Sequence, residues 1–189
     1  MSLDITITLS EEDLERFQES VDKGRAAVAD KETALKIEEA AAKLIDTARE
    51  NDLPPFISDR VLKLQILLNM IRDEEWQLSE TERDSIRGAL YYFAEPDDVI
   101  PDHIPALGFL DDAIYAEIVI KELKMEIKMY QEFCQFRIAE ENRRRNRGQD
   151  PHVGREDWIA DKRALLHSRM RERRKLRSGG RGWRMRLLG

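Results

Sequence analysis

Ala113, Ala116, Ile120, Leu123, Ile127, Tyr130 and Cys134 recur at alternating spacings of three and four. That period belongs to one face of an α-helix and to no strand, where side chains alternate every second residue. It predicts one continuous helix from about Leu110 to Asn142 or beyond, with a single apolar seam. Such a helix is longer than a small core needs, so its far end is expected to pack on something else, a second subunit being one option. The same period recurs upstream. Ser10 reads as an N-cap for a helix to about Ala29, with Gly24 as a weak point within it. Asp30 caps a second helix, Lys31–Glu50, whose Ala34, Ile37, Ala41, Leu44, Ile45 and Ala48 share a face. Asn51 to Pro55 reads as a stop and a turn. A third helix starts at Ser58 or Asp59, runs to about Trp76 and is apolar nearly all round, so it is expected to be the most buried. Ser79 with Glu82 has the spacing of a capping box and opens a fourth helix, to about Ala94.

The fold class that follows is all-α, a compact bundle of about four to five helices. The organisation expected is an extended arm at residues 1–9, whose DITITL alternates like a strand, a helical domain over 10–141, and a basic linker, helix and tail over 142–189. The high share of charged residues, 37%, is rich in Glu, Lys and Arg, which lose little rotamer freedom in helices. One cysteine excludes an intrachain disulfide and points to a cytoplasmic chain. The start lacks the basic and apolar regions of a secretory leader. Leu64 to Ile71 is among the longest runs without Asp, Glu, Lys or Arg, far below the roughly 20 residues of a membrane-spanning helix.

Charge is divided unevenly. The net charge is −6, yet the segment from Glu140 onward holds 16 basic and 7 acidic residues against 16 basic and 31 acidic before it. Fourteen of those 16 cations are arginine, whose planar fork suits phosphate oxygens. Arg143, Arg144, Arg145, Arg173, Arg174, Arg181, Arg184 and Arg186 are therefore candidates for anion binding. A nucleic acid fits the arginine–glycine end, RGWRMR. An anionic membrane surface fits the Trp183, Met185, Leu187 and Leu188 interleaved there, which would make the protein peripheral at the membrane. The third option is a tail lying on its own acidic body or on a sister copy in a homodimer.

Between the fourth and fifth helices stands EPDDVIPDHIPALGFLDD, residues 95–112, with three of the chain's six prolines and six carboxylates. Proline removes an amide donor and pushes the preceding residue out of the helical region, so Pro96, Pro101 and Pro105 enforce an irregular connection. Val99, Ile100, Ile104, Leu107 and Phe109 would plug it into the core. Asp111 and Asp112 fall at the first turn of the next helix, where negative charge meets the positive end of the dipole. Asp98, Asp102, His103, Asp111 and Asp112 are candidate ligands for a divalent cation, the one cofactor the residues suggest, with capping of helix ends and loop amides as the simpler role. Their spacing matches no EF-hand or zinc pattern. Adjacent Asp111 and Asp112 diverge on a helix and form no acid–base pair by themselves. Cys134 on the seam reads as structural. His103, His152 and His167 have no triad spacing, and no glycine loop cradles a phosphate.

The string Pro96, Asp98, Ile100-Pro101-Asp102, Ile104-Pro105, Leu107-Gly108 and Leu110-Asp111-Asp112 resembles the signature of the YkvA-like family, the domain of unknown function DUF1232, over about residues 85–125. Glu95, Asp97 and His103 depart from it and make this copy more polar. The resemblance implies a small helical domain and no particular activity. Some members carry apolar segments and are described as membrane proteins; this sequence lacks such segments. The functional expectation is a non-enzymatic interaction or adaptor protein whose basic tail meets an anionic partner. A metal-dependent enzyme centred on the Asp/His cluster is the alternative.

Overall fold

The computed structural model describes residues 10–51, 53–95 and 109–178. The arm at residues 1–9, the heart of the joint (96–108) and the last residues (179–189), with the expectations attached to them, lie outside the described residues. Among the described residues the regular structure is eight α-helices and a 3-10 turn: α1 Glu11–Ala27, α2 Lys31–Glu50, α3 Pro55–Val61, α4 Leu64–Arg72, α5 Glu80–Leu90, the 3-10 turn Tyr91–Ala94, α6 Leu110–Glu122, α7 Lys124–Asn146 and α8 Arg155–Ser178. The fold is all-α.

The helix count exceeds the expected four to five because two long predicted helices are each broken. Ser58–Trp76 is α3, α4 and a turn, with its start moved back to Pro55, which sits at the first helical position where its missing N–H costs nothing. Around Leu62 and Lys63 the bonds Lys63 N–H to Arg60 O, Gln65 N–H to Leu62 O and Ile66 N–H to Lys63 O are three-residue closures, and they tighten the chain without proline or glycine. Leu110–Asn142 is broken at Leu123, whose ψ of 16° leaves the helical range. Of the expected seam, Ala113 and Ala116 are buried in α6, and Leu123, Ile127 and Tyr130 are buried at and after the break.

The helix ends read from the sequence are largely in place. Asp30 accepts from Thr33 N at 2.8 Å. Ser79 and Glu82 close both halves of the capping box. At the end of α7, Gly148 N–H reaches Arg145 O and Gln149 N–H reaches Arg144 O, the paired closure of a Schellman motif, with Gly148 at φ +69°.

The chain forms two compact units, one from the described residues of Met1–Ile71 and Leu78–Lys121, the other from those of Arg72–Gln77 and Glu122–Gly189. The division falls at the α6–α7 junction. In the first unit α1 packs on α5, and α2 on α5, α3 and the 3-10 turn. Its core includes Ile37, Ile45, Ile57, Leu64, Leu68, Ile86 and Tyr115. A buried ion pair, Arg87 Nε to Glu38 Oε1 at 2.9 Å, ties α5 to α2. Gly24 is a point of close approach: a Cβ there would lie 2.5 Å from Gly88 O and 2.5 Å from Tyr91 Cβ.

In the second unit α7 packs along α8. The far end of the long predicted helix is thus covered by a helix of its own chain. Trp76, fully buried in the turn, sits 5.0 Å from the Phe133 ring and edge-on to His167 at 4.3 Å. Ile159, Leu166 and Met170 give α8 its buried face.

Candidate functional site

Two places were marked by the sequence, the joint and the basic end. Of the joint, the structure describes the two flanks. Before it, Glu95 accepts from Ser20 Oγ at 3.0 Å and faces Lys23 Nζ at 3.7 Å. After it, Asp111 and Asp112 are both buried in the first turn of α6. Tyr92 donates its hydroxyl to Asp111 Oδ2 at 3.0 Å and stacks on Tyr115 with ring centroids 4.1 Å apart. Burial raises the Tyr115 hydroxyl well above the ordinary tyrosine range, and the nearby Glu95 charge adds to that. Tyr115 is therefore a neutral hydrogen-bonding group at any physiological pH. The flanks are held by aromatic stacking and a tyrosine–carboxylate bond, so the described part of the motif behaves as a pin for α6. Asp98, Asp102 and His103 lie outside the described residues. Among the described residues no three His, Cys, Asp or Glu side chains are arranged to hold a metal.

The basic end is a different case, because helix geometry sorts its arginines into two sets. The first set is turned onto carboxylates of its own unit. Arg143 and Arg144 both pair with Glu140, the latter at 3.1 Å, and Arg145 with Glu141 at 3.3 Å. Arg144 and Arg155 each lie 5.3 Å from the Trp158 ring centroid, a double cation–π contact. Arg155 also pairs with Glu75 and, at 2.7 Å, with Glu141. Arg137 reaches Glu75 at 2.7 Å and Asp73 at 2.9 Å. Arg163 donates to the Glu75 carbonyl at 2.9 Å. Glu75 is a hub, and the guanidinium of Arg155, then that of Arg137, holds its carboxyl below the ordinary range. Lys162 meets Glu132 at 2.6 Å, and Arg174 meets Glu126 at 3.1 Å.

The second set faces water. Arg171 and Arg173 are exposed on the last turns of α8, and Arg169, also exposed, lies 3.7 Å from Glu132. From Arg169 to the end the chain holds nine basic residues and one acidic, Glu172. Of the eight arginines marked from sequence, Arg144 and Arg174 are part-buried on carboxylates, Arg143 and Arg145 pair with carboxylates while exposed, and Arg173 is exposed. Arg181, Arg184 and Arg186 lie outside the described residues.

Three features went unseen in the sequence. Arg169 and Arg171 belong to the exposed set, which a helical projection from the buried Ile159, Leu166 and Met170 would have revealed. Arg174 lies four residues after Met170, so it turns inward. Glu126 is 3% exposed, and its position three after Leu123 and seven before Phe133 placed it on the apolar seam. The Cys134 thiol is half-buried, 3.8 Å from Arg137 Nη2, and burial raises it above its ordinary value.

Residues 85–116 match the model of a family described as a protein of unknown function (DUF1232). The match spans the end of α5, the 3-10 turn, the joint and the first half of α6, so it contains Tyr92, Asp111, Asp112 and Tyr115. No curated protein and no solved structure matches the chain.

Proposed function

Starting from a chain that carries a DUF1232 segment at residues 85–116, we propose a non-enzymatic, cytoplasmic interaction protein that binds nucleic acid through the end of α8 and the basic residues after it. The DUF1232 segment serves as scaffold, its pinned α6 fixing the shape of the first unit. The observation that carries this reading is the sorting of the arginines. The face of α8 turned to α7 carries cations met by carboxylates, Arg174 on Glu126 being the last of them, while Arg171 and Arg173 are presented to solvent.

A phosphodiester backbone is favoured over a bilayer by the disposition of apolar groups. A helix that lies on a membrane needs an unoccupied apolar face. In α8 that face, Ile159, Leu166 and Met170, is buried, and Leu165 and Leu176 are the large apolar groups left exposed. No described helix is long and apolar enough to cross a membrane. Arginine, by contrast, recognises phosphate oxygens with two parallel bonds and stacks on bases.

The test is fluorescence anisotropy of a labelled single-stranded oligonucleotide titrated with the full chain at low and moderate salt. Truncation at Glu140 is unsuitable, since it would strip α8 from α7 and His167 from Trp76. The better comparison is Arg171→Glu with Arg173→Glu, both exposed. Expected is binding that weakens steeply with salt and falls about tenfold or more in the double variant. Absence of binding at low salt overturns the reading. Binding instead to vesicles with anionic lipid, and not to the oligonucleotide, replaces it with a membrane-surface role.

A further inference from the structure

Glu126 is the most deeply buried carboxylate of the second unit, and its pairing is incomplete. One oxygen, Oε1, accepts from Arg174 Nε at 3.1 Å; the other, Oε2, is buried with no hydrogen-bond partner among the described residues. A buried carboxylate is costly unless it is paired, and breaking its pair leaves an uncompensated charge inside the protein. Glu126 therefore holds Arg174 firmly, although the Arg174 side chain is 31% exposed and so within reach of solvent. Arg174 is also next in sequence to the exposed Arg173, and Arg171 lies one turn before it. A strand of phosphates docking on the exposed arginines comes close to this guanidinium, yet can take it only by stranding Glu126.

We propose that Glu126 is a built-in competitor that withholds Arg174 from a polyphosphate strand, so that the free protein binds nucleic acid with one arginine fewer than the last turns of α8 offer. This rests on the reading that the end of α8 binds a polyanion. Glu126 sets the affinity from inside: anything that neutralises or displaces it releases Arg174 and adds a phosphate contact.

The experiment uses the full chain and the labelled single-stranded oligonucleotide, with Glu126→Gln, Arg174→Gln and the double variant, each first checked for a cooperative melt. Glu126→Gln keeps the shape and removes the charge. It is expected to tighten binding about threefold to tenfold and to steepen the plot of log K against log salt by about 0.7, the value of one added phosphate contact on a single strand. In the Arg174→Gln background the same change should do nothing. An unchanged affinity in Glu126→Gln, or an equal gain without Arg174, overturns the proposal. Should Glu126→Gln fail to fold, Arg173→Gln against Arg174→Gln decides. Loss of Arg173 should weaken binding about twofold to fivefold, while loss of Arg174 leaves it within about twofold; equal losses overturn the proposal. If no variant binds the oligonucleotide at low salt, the nucleic-acid reading itself has failed, which is a distinguishable result.

Discussion

A methyl group at Gly24 would meet backbone and Cβ atoms that cannot swing away, whereas one at Gly148 would meet nothing within 4 Å. The first glycine is set by space and the second by its φ of +69°. In a helix interior Gly→Ala ordinarily gains about 1 kcal/mol. At Gly24 the gain is outweighed by overpacking, which costs about 1–3 kcal/mol in a fixed environment, so Gly24→Ala should lower the urea midpoint. Gly148→Ala should also destabilise, by about 1 kcal/mol, because a side chain disfavours the left-handed region even in open space. Proteolysis between α7 and α8 would report it. Neither reason was legible: a lone sequence shows that a helix contains a glycine but not what crosses it, and α7 runs beyond the point where NRRRNRG begins to look like a linker. Cys134, expected as a buried residue on the seam, is half-buried beside Arg137. Its raised thiol should react with iodoacetamide at neutral pH several-fold more slowly than a free thiol and at the ordinary rate once the chain is unfolded.

Elements defined by their ends were the easiest to read. Ser79 and Glu82 satisfy each other's orphan amides, with Glu82 Oε2 3.0 Å from Ser79 N and Ser79 Oγ 3.4 Å from Glu82 N. That pattern needs only four residues, so sequence contains it whole. Ser79→Ala should cost about 1 kcal/mol, measured by denaturant unfolding, and Ser79→Asp should recover most of it. Elements defined by their middles were harder. The apolar period runs straight through Leu62–Lys63 and through Leu123, with no proline or glycine to announce a break, because tertiary packing and not local propensity decides where each seam turns. The same blindness hid half of the basic end. Arginines 143–145 and 174 look alike in composition, and only the position of each on its helix, together with the carboxylate opposite, separates an internal partner from a presented one. Glu126 was within reach, since its helical phase is that of Leu123, Tyr130 and Phe133.

At the scale of the molecule, part of the basic charge seen along the sequence is met inside the second unit, where Glu75 gathers Arg137 and Arg155 and accepts from Arg163 through its carbonyl. This has a consequence for pH. The two guanidinium groups hold the Glu75 carboxyl below its ordinary value of 4.5. A carboxyl whose folded value is depressed adds stability above its unfolded value, and that contribution is lost as pH falls through the folded one. The hub should therefore stabilise the unit fully above about pH 4.5 and fail progressively below it. Glu75→Gln keeps the shape and removes the charge, so it should lower Tm by a few degrees near neutral pH. In acid, where the wild-type carboxyl is itself protonated, the two melting curves should converge. Circular dichroism melts across that range make the comparison. An offset that persists unchanged in acid would mean that Glu75 acts by packing. Since its side chain is 31% exposed, added salt at neutral pH should also narrow the gap without closing it, because screening reaches a half-buried ion pair only in part.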